Sequence, residues 1–238
     1  MTALELAAAT LAIALGSIVQ AASGVGAGFL IVPMLAWINL SLVPAPMICG
    51  SLALSGLMAW RERGAIDRGH LQPIFIGLVP GSALGAWIIS TLPAEQLGVV
   101  FACVILLAIA LTVSGLDIPL NPRTAVTAGM IAGAMGASTG IGAPVLAILF
   151  QHASGPKVRA TLALIYTVAS LMILVVLALF GRFGSTEAGA GILLMPGFLA
   201  GYWIANRLRH RLDKGATRPA VLMVSAAASI ALLIRSLG

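Results

Sequence analysis

The sequence predicts an all-α polytopic membrane protein built from two related halves, and three observations carry that expectation. First, only 20 of 238 residues are charged, 60% are hydrophobic, and mean hydropathy is +1.09. A soluble domain of this length carries about a quarter charged residues, so this chain could not cover a globule with polar surface and needs lipid as solvent. Second, apolar stretches long enough to cross a hydrocarbon core about 30 Å thick recur along the chain. They show none of the two-residue alternation of a membrane β-barrel. Third, one ungapped shift of 116 residues superposes two separate motifs.

The expected spans run over Leu4–Ala22, Ala45–Trp60, Leu71–Ser90, Gln96–Leu116, Thr124–Ser138, Ala160–Phe180, Gly189–Ala205 and Arg218–Ile234. Helices are required there because unpaired backbone groups are costly in lipid. The first span resembles a signal peptide in hydropathy. However, Met1–Glu5 has no basic segment and apolar sequence continues past any cleavage site, so it reads as mature structure. Two shorter apolar runs, Phe29–Asn39 and Val145–Gln151, follow glycine-rich breaks and are too short to span comfortably.

Under the shift, AASGVGA at 21–27 falls on ASTGIGA at 137–143, and Leu78–Gly81 falls on Leu194–Gly197. Gly85, Trp87 and Ile88 then fall on Gly201, Trp203 and Ile204. A repeat of this kind sets the domain organisation: residues 1–119 and 120–238 are expected to be two repeats within one membrane domain. Each repeat would hold a glycine-broken helical hairpin plus about three spanning helices.

Charge then predicts orientation. Loops 61–70, 151–160 and 207–218 hold ten Lys and Arg, whereas their counterparts in the other half are nearly neutral. Basic loops opposite neutral ones are expected when the halves insert with inverted topology. If Leu4–Asn39 and Thr124–Gln151 each return to their starting face, all three basic loops become cytoplasmic, both termini lie outside, and Arg63 and Lys157 share a face. The expected location is the cytoplasmic (inner) membrane of a bacterium, multi-pass. The net charge of +6 and pI near 10.4 are therefore assigned to loops at a membrane face rather than to nucleic acid.

The breaks are the candidate binding site. Glycine admits unwound backbone, and Pro144 suits the first turn of a restarting helix. A restarting helix offers free N–H groups and a positive dipole end, which together favour an anion. Two such ends meeting near the midplane would bind a small anionic substrate. The candidate residues are Gln20, Ser23, Gly24, Gly26 and Gly28 from the first break, and Ser138, Thr139, Gly140, Gly142 and Pro144 from the second. His152, Arg159 and Tyr166 are candidates for gating or anion steering, and Thr167 for lining the cavity. A bulky residue at Gly26 or Gly142 is expected to abolish transport while leaving a folded protein. By contrast, Gly81/Gly85 and Gly197/Gly201 are spaced for close helix packing. Trp87 and Trp203 suit interfacial anchors.

The glycine break followed by FLIVPML, the Pro-Gly-x3-Gly helix of each half, and Lys157-Val158-Arg159-Ala160-Thr161 resemble the sulfite exporter TauE/SafE family (TSUP) over nearly the full length. That resemblance implies transport of anions, often sulfite or organosulfur anions such as sulfonates, and sometimes small carboxylates.

Other classes fit less well. Gly136-Ala137-Ser138 resembles the serine neighbourhood of an intramembrane protease. However, His70, His152 and His210 fall in loop or interface segments and offer no base, so no catalytic residue is assigned. No P-loop or dinucleotide fingerprint is present. Cys49 and Cys103 sit in apolar runs without metal-ligand spacing, so no metal and no cofactor are expected. Intramembrane carboxylates are lacking, which leaves a coupling proton or Na+ open. A homo-oligomer, and an anion channel built from the same helix ends, also remain open.

Overall fold

A computed structural model describes the backbone of residues 2–212 and 217–237, with the side chains of 94, 95, 208–212, 217–221, 235 and 237 outside the description. Among the described residues the chain is helical, without strands. Ten α-helices follow in order: α1 Ala3–Ser23, α2 Ala27–Ile38, α3 Ala45–Arg61, α4 Leu71–Thr91, α5 Ala94–Val113, α6 Pro122–Thr139, α7 Ala143–Leu149, α8 Gly155–Leu179, α9 Ser185–Leu212 and α10 Thr217–Leu237. Five segments are long and apolar enough to cross a bilayer, namely Ala3–Ser23, Leu71–Thr91, Gln96–Val113, Gly155–Leu179 and Ser185–Arg207. The chain is a multi-pass helical membrane protein.

Three expected spans are not among those five; one is that of α10, whose described apolar stretch, Leu222–Ile234, is shorter, and the others are those of α3 and α6. α3 has 17 residues and α6 is an 18-residue helix dominated by Ala, Gly and Thr. Both lie between other helices, where small side chains are useful because lipid supplies no hydrophobic force to press helices together.

Local chemistry sets the helix ends. Thr2 and Glu5 form a capping box at α1, and Asn121 and Thr124 form one at α6, with Pro122 in the first turn. α1 and α6 both stop at a left-handed glycine, Gly24 at φ 83° and Gly140 at φ 82°. These are conformations that a Cβ strongly disfavours.

α4 packs along α6, α1 along α9, α3 against α8 and α5 against α10. The first two pairs are the tightest. A Cβ built on Gly201 would lie 2.5 Å from the Ala14 carbonyl oxygen, and one on Gly133 2.5 Å from that of Leu78. Gly77, Gly81 and Gly85 similarly lie on the backbone of Val126, Met130 and Ala134. Only glycine lets the backbones approach so closely, so the Pro-Gly-x3-Gly spacing serves packing. Trp87 and Trp203 are 54% and 60% exposed and face outward with the other apolar side chains of the exterior. Cys103 is exposed there too, whereas Cys49 is buried.

Polar contacts gather the basic segments at one end of the bundle. Lys157 Nζ pairs with Asp67 at 2.8 Å, and Arg159 Nε with Glu62 at 3.3 Å. Arg61 reaches Asn206 at 3.1 Å, and the Asp67 amide donates to Thr161 Oγ1. Loops 61–70 and 151–160 and the end of α9 therefore lie together at one end of the bundle. Lys214 lies outside the described residues, as do the side chains of Arg209, Arg211 and Arg218; the backbone of His210, expected in a loop or interface segment, is helical within α9, and its side chain is also outside the description. Lys157 holds the Asp67 carboxyl below its ordinary range, with help from the Gly69 amide.

A central cavity between the two helix breaks

Where α1 and α6 stop, the chain turns and restarts as α2 and α7. The restart at α2 uses Gly26 at φ 112°, and no side chain caps it. The amides of Ala27, Gly28 and Phe29 precede the first intrahelical bond, so the turn presents free donors and the positive dipole end. α7 is a weaker counterpart. It has seven residues, and Pro144 removes one amide from its first turn.

The two breaks meet. A Cβ on Gly28 would lie 3.0 Å from the Ile141 side chain. Around this contact is a cavity of about 100 Å³, to which Gly26, Gly28, Gly140 and Gly142 all contribute. It is several times the roughly 10–15 Å³ that one water requires. Its polar side chains are Gln20 from α1, Ser51 and Ser55 from α3, and Tyr166 and Ser170 from α8. Among the described residues, no Lys, Arg, Asp or Glu lines it. The Tyr166 hydroxyl is buried and has no hydrogen-bond partner among the described residues. An orphaned hydroxyl costs about 1–3 kcal/mol when dry.

The remaining expected residues fall elsewhere. Ser138 Oγ donates to the Ala134 carbonyl at 2.8 Å, and Thr139 Oγ1 to that of Met135 at 2.8 Å. Both hydroxyls serve their own helix, and neither residue lines the cavity. Thr167 does the same with Ala163. Gly24 packs against Arg159, whose Cγ would lie 2.8 Å from an added Cβ. Arg159 is itself paired with Glu62 outside the cavity. His152 is exposed and pairs with Asp117 at 2.8 Å. Ser23 and Pro144 line a second cavity of about 310 Å³, toward the basic end, together with Gln151 and Val158.

The structure also corrects the expected effect of bulky substitutions. Gly142 has an ordinary φ of −99°, but its Cβ would lie 2.5 Å from the Ala132 carbonyl oxygen, and Gly26 has a φ that side chains rarely adopt. Larger residues at either position would disturb folding as well as binding.

Ser51, Ser55 and Ser170 escaped the sequence reading. The signal was present: Ser51 and Ser55, like Tyr166 and Ser170, are four residues apart and so share a helix face.

No match is found among curated proteins, and none among solved structures. The family described as Sulfite exporter TauE/SafE matches residues 9–232, nearly the whole chain. The chain therefore belongs to the sulfite exporter TauE/SafE family, a family of membrane transporters.

Proposed function

We propose that this chain is a secondary transporter that binds a small anion of the sulfite or organosulfur type in the central cavity and moves it by alternating access. The observation that carries this reading is the donor set. The uncapped first turn of α2 lies at a cavity that, among the described residues, no ionised side chain lines, and Tyr166, whose buried hydroxyl has no partner among those residues, is one of its wall residues. Amides and hydroxyls favour an anion, and a partial dipole charge holds it less tightly than a buried arginine would. That suits a site which must release its cargo on each cycle. Family membership supports transport and the sulfite type of cargo.

In this reading residues 1–119 and 120–238 are repeats inverted in the membrane. Each has five helices, an odd number, so a chain that reverses at every helix enters its second half from the opposite face. The exchange of partners supports this, since α1 packs on α9 while α6 packs on α4. The 116-residue shift relates α1 to α6 and α4 to α9. The end bearing Arg61, Lys157, Arg159 and Arg207 is the cytoplasmic one, by the bias of basic residues toward that face. The membrane is then the bacterial inner membrane.

Counterflow of radiolabelled sulfite in proteoliposomes tests the function. Saturable exchange, accelerated by unlabelled sulfite on the far side, is the expected result. Non-saturating, ohmic flux would replace the carrier by a channel. Exchange of short carboxylates with no exchange of sulfite would reassign the cargo.

A further inference from the structure

The second cavity shares two wall residues with the central one, Gly26 and Phe29. Phe29 is 3% exposed, so at this point a single aromatic residue and the turn before it separate two empty volumes. The second cavity lies toward the basic end, where Ser23, Gln151 and Val158 contribute to its wall.

The backbone at Phe29 is unusual. In an α-helix the Phe29 carbonyl would accept from the amide four residues on, but that residue is Pro33, inside α2, which has no N–H. Ser225, fully buried on α10, supplies the missing donor through its hydroxyl. The first turn of α2 is thus fastened to a neighbouring helix by one side-chain bond in place of its own helix bond.

We propose that the second cavity is the route between the central site and the basic end, that Phe29 is its gate, and that Ser225 is the positioning residue that holds the gate shut. The inference rests on the carrier reading for its purpose, and it concerns which segment moves. The first turn of α2 carries both the anion-facing amides and the gate, so a shift of this turn alters the site and its access together. Pro33 takes one helix bond out of this turn, so at the Phe29 carbonyl the turn is held by the Ser225 hydroxyl rather than by α2 itself. Under the repeat, Phe29 corresponds to Val145, a smaller residue on a shorter helix, so the aromatic gate belongs to the basic end alone.

Thiol accessibility tests this without requiring transport. In a Cys49→Ala, Cys103→Ser background, single cysteines are placed at Ser23 (second cavity) or Ser51 (central cavity). Sealed vesicles with the basic end outward are then treated with sulfonatoethyl methanethiosulfonate, an impermeant anionic thiol reagent. Ser23→Cys should react quickly and Ser51→Cys slowly. Adding Phe29→Ala should raise the Ser51→Cys rate on the order of tenfold or more, and Ser225→Ala should raise it by a smaller factor. Each variant is first checked for a single monodisperse species in detergent. If Phe29→Ala fails that check, Phe29→Leu and Ser225→Ala carry the test.

A Ser51→Cys rate that equals that of Ser23→Cys with Phe29 present would overturn the gate. A rate unchanged by any of the three substitutions would overturn the route. Sulfite counterflow is measured separately. If counterflow is absent while the labelling pattern holds, the carrier reading fails and the gated route stands.

Discussion

Replacing Tyr166 by Phe separates a binding hydroxyl from a structural one. Tyr166 lines a cavity of about 100 Å³, and its hydroxyl is buried with no partner among the described residues. With no partner to lose, removing it should not destabilise the empty protein. It removes a desolvation penalty of up to about 1–3 kcal/mol, less whatever cavity water already offsets. If the hydroxyl donates to the bound anion, the substitution removes a hydrogen bond to a charged group, worth about 1.5–3 kcal/mol. Sulfite affinity should then fall by about tenfold or more. The assay is thermal unfolding of purified wild type and Tyr166→Phe in detergent, with and without a sulfite titration. The expected result is an apo midpoint equal to or above wild type, with a weaker sulfite-dependent shift. A lowered apo midpoint with unchanged sulfite affinity would show that the hydroxyl holds the fold and would refute the reasoning.

Three further outcomes are expected. Ser138→Ala should leave sulfite affinity within about twofold, because its hydroxyl donates back to Ala134 and lies outside the cavity. A sulfite titration checks this. Gly201→Leu should destroy the α1–α9 seam, since even a Cβ would lie 2.5 Å from the Ala14 carbonyl oxygen. Overpacking of this kind costs about 1–3 kcal/mol or more, and size-exclusion chromatography should show aggregated or absent protein. The Asp67–Lys157 pair lowers the Asp67 pKa. Its contribution is therefore present at neutral pH and is lost as pH falls through the lowered value, below the ordinary carboxylate range. Asp67→Asn should remove that acid-side component of the melting profile, at a cost below about 1 kcal/mol for a pair this exposed.

Much of the architecture was legible in the sequence because membrane helices announce themselves locally. The breaks were visible because left-handed backbone at Gly24 and Gly140 demands glycine. The seams were visible because close approach demands it at fixed spacing. A shared face for loops 61–70 and 151–160 could be expected only by setting the charges on the 116-residue repeat and letting each break return to its starting face. What escaped was which polar side chains line the central cavity. Ser138 and Thr139 stood beside a break and read as ligands. A helical hydroxyl, however, usually satisfies itself on the carbonyl four residues back, and theirs do. Ser55 and Ser170 line one cavity because α3 packs against α8, a long-range contact that no local pattern encodes. The gate was hidden in the same way. Pro33 was visible in the sequence, but the hydroxyl that replaces its missing N–H comes from Ser225, 196 residues away from Phe29.

The most direct test of the central claim is to see the anion. Crystals of the protein soaked in selenite, a heavier analogue of sulfite, would be examined for anomalous scattering. The account predicts one selenium peak in the central cavity, within hydrogen-bond reach of the Gly28 and Phe29 amides and the Tyr166 hydroxyl. A peak found only at the basic rim, beside Arg159 or Arg207, with the central cavity empty, would contradict it.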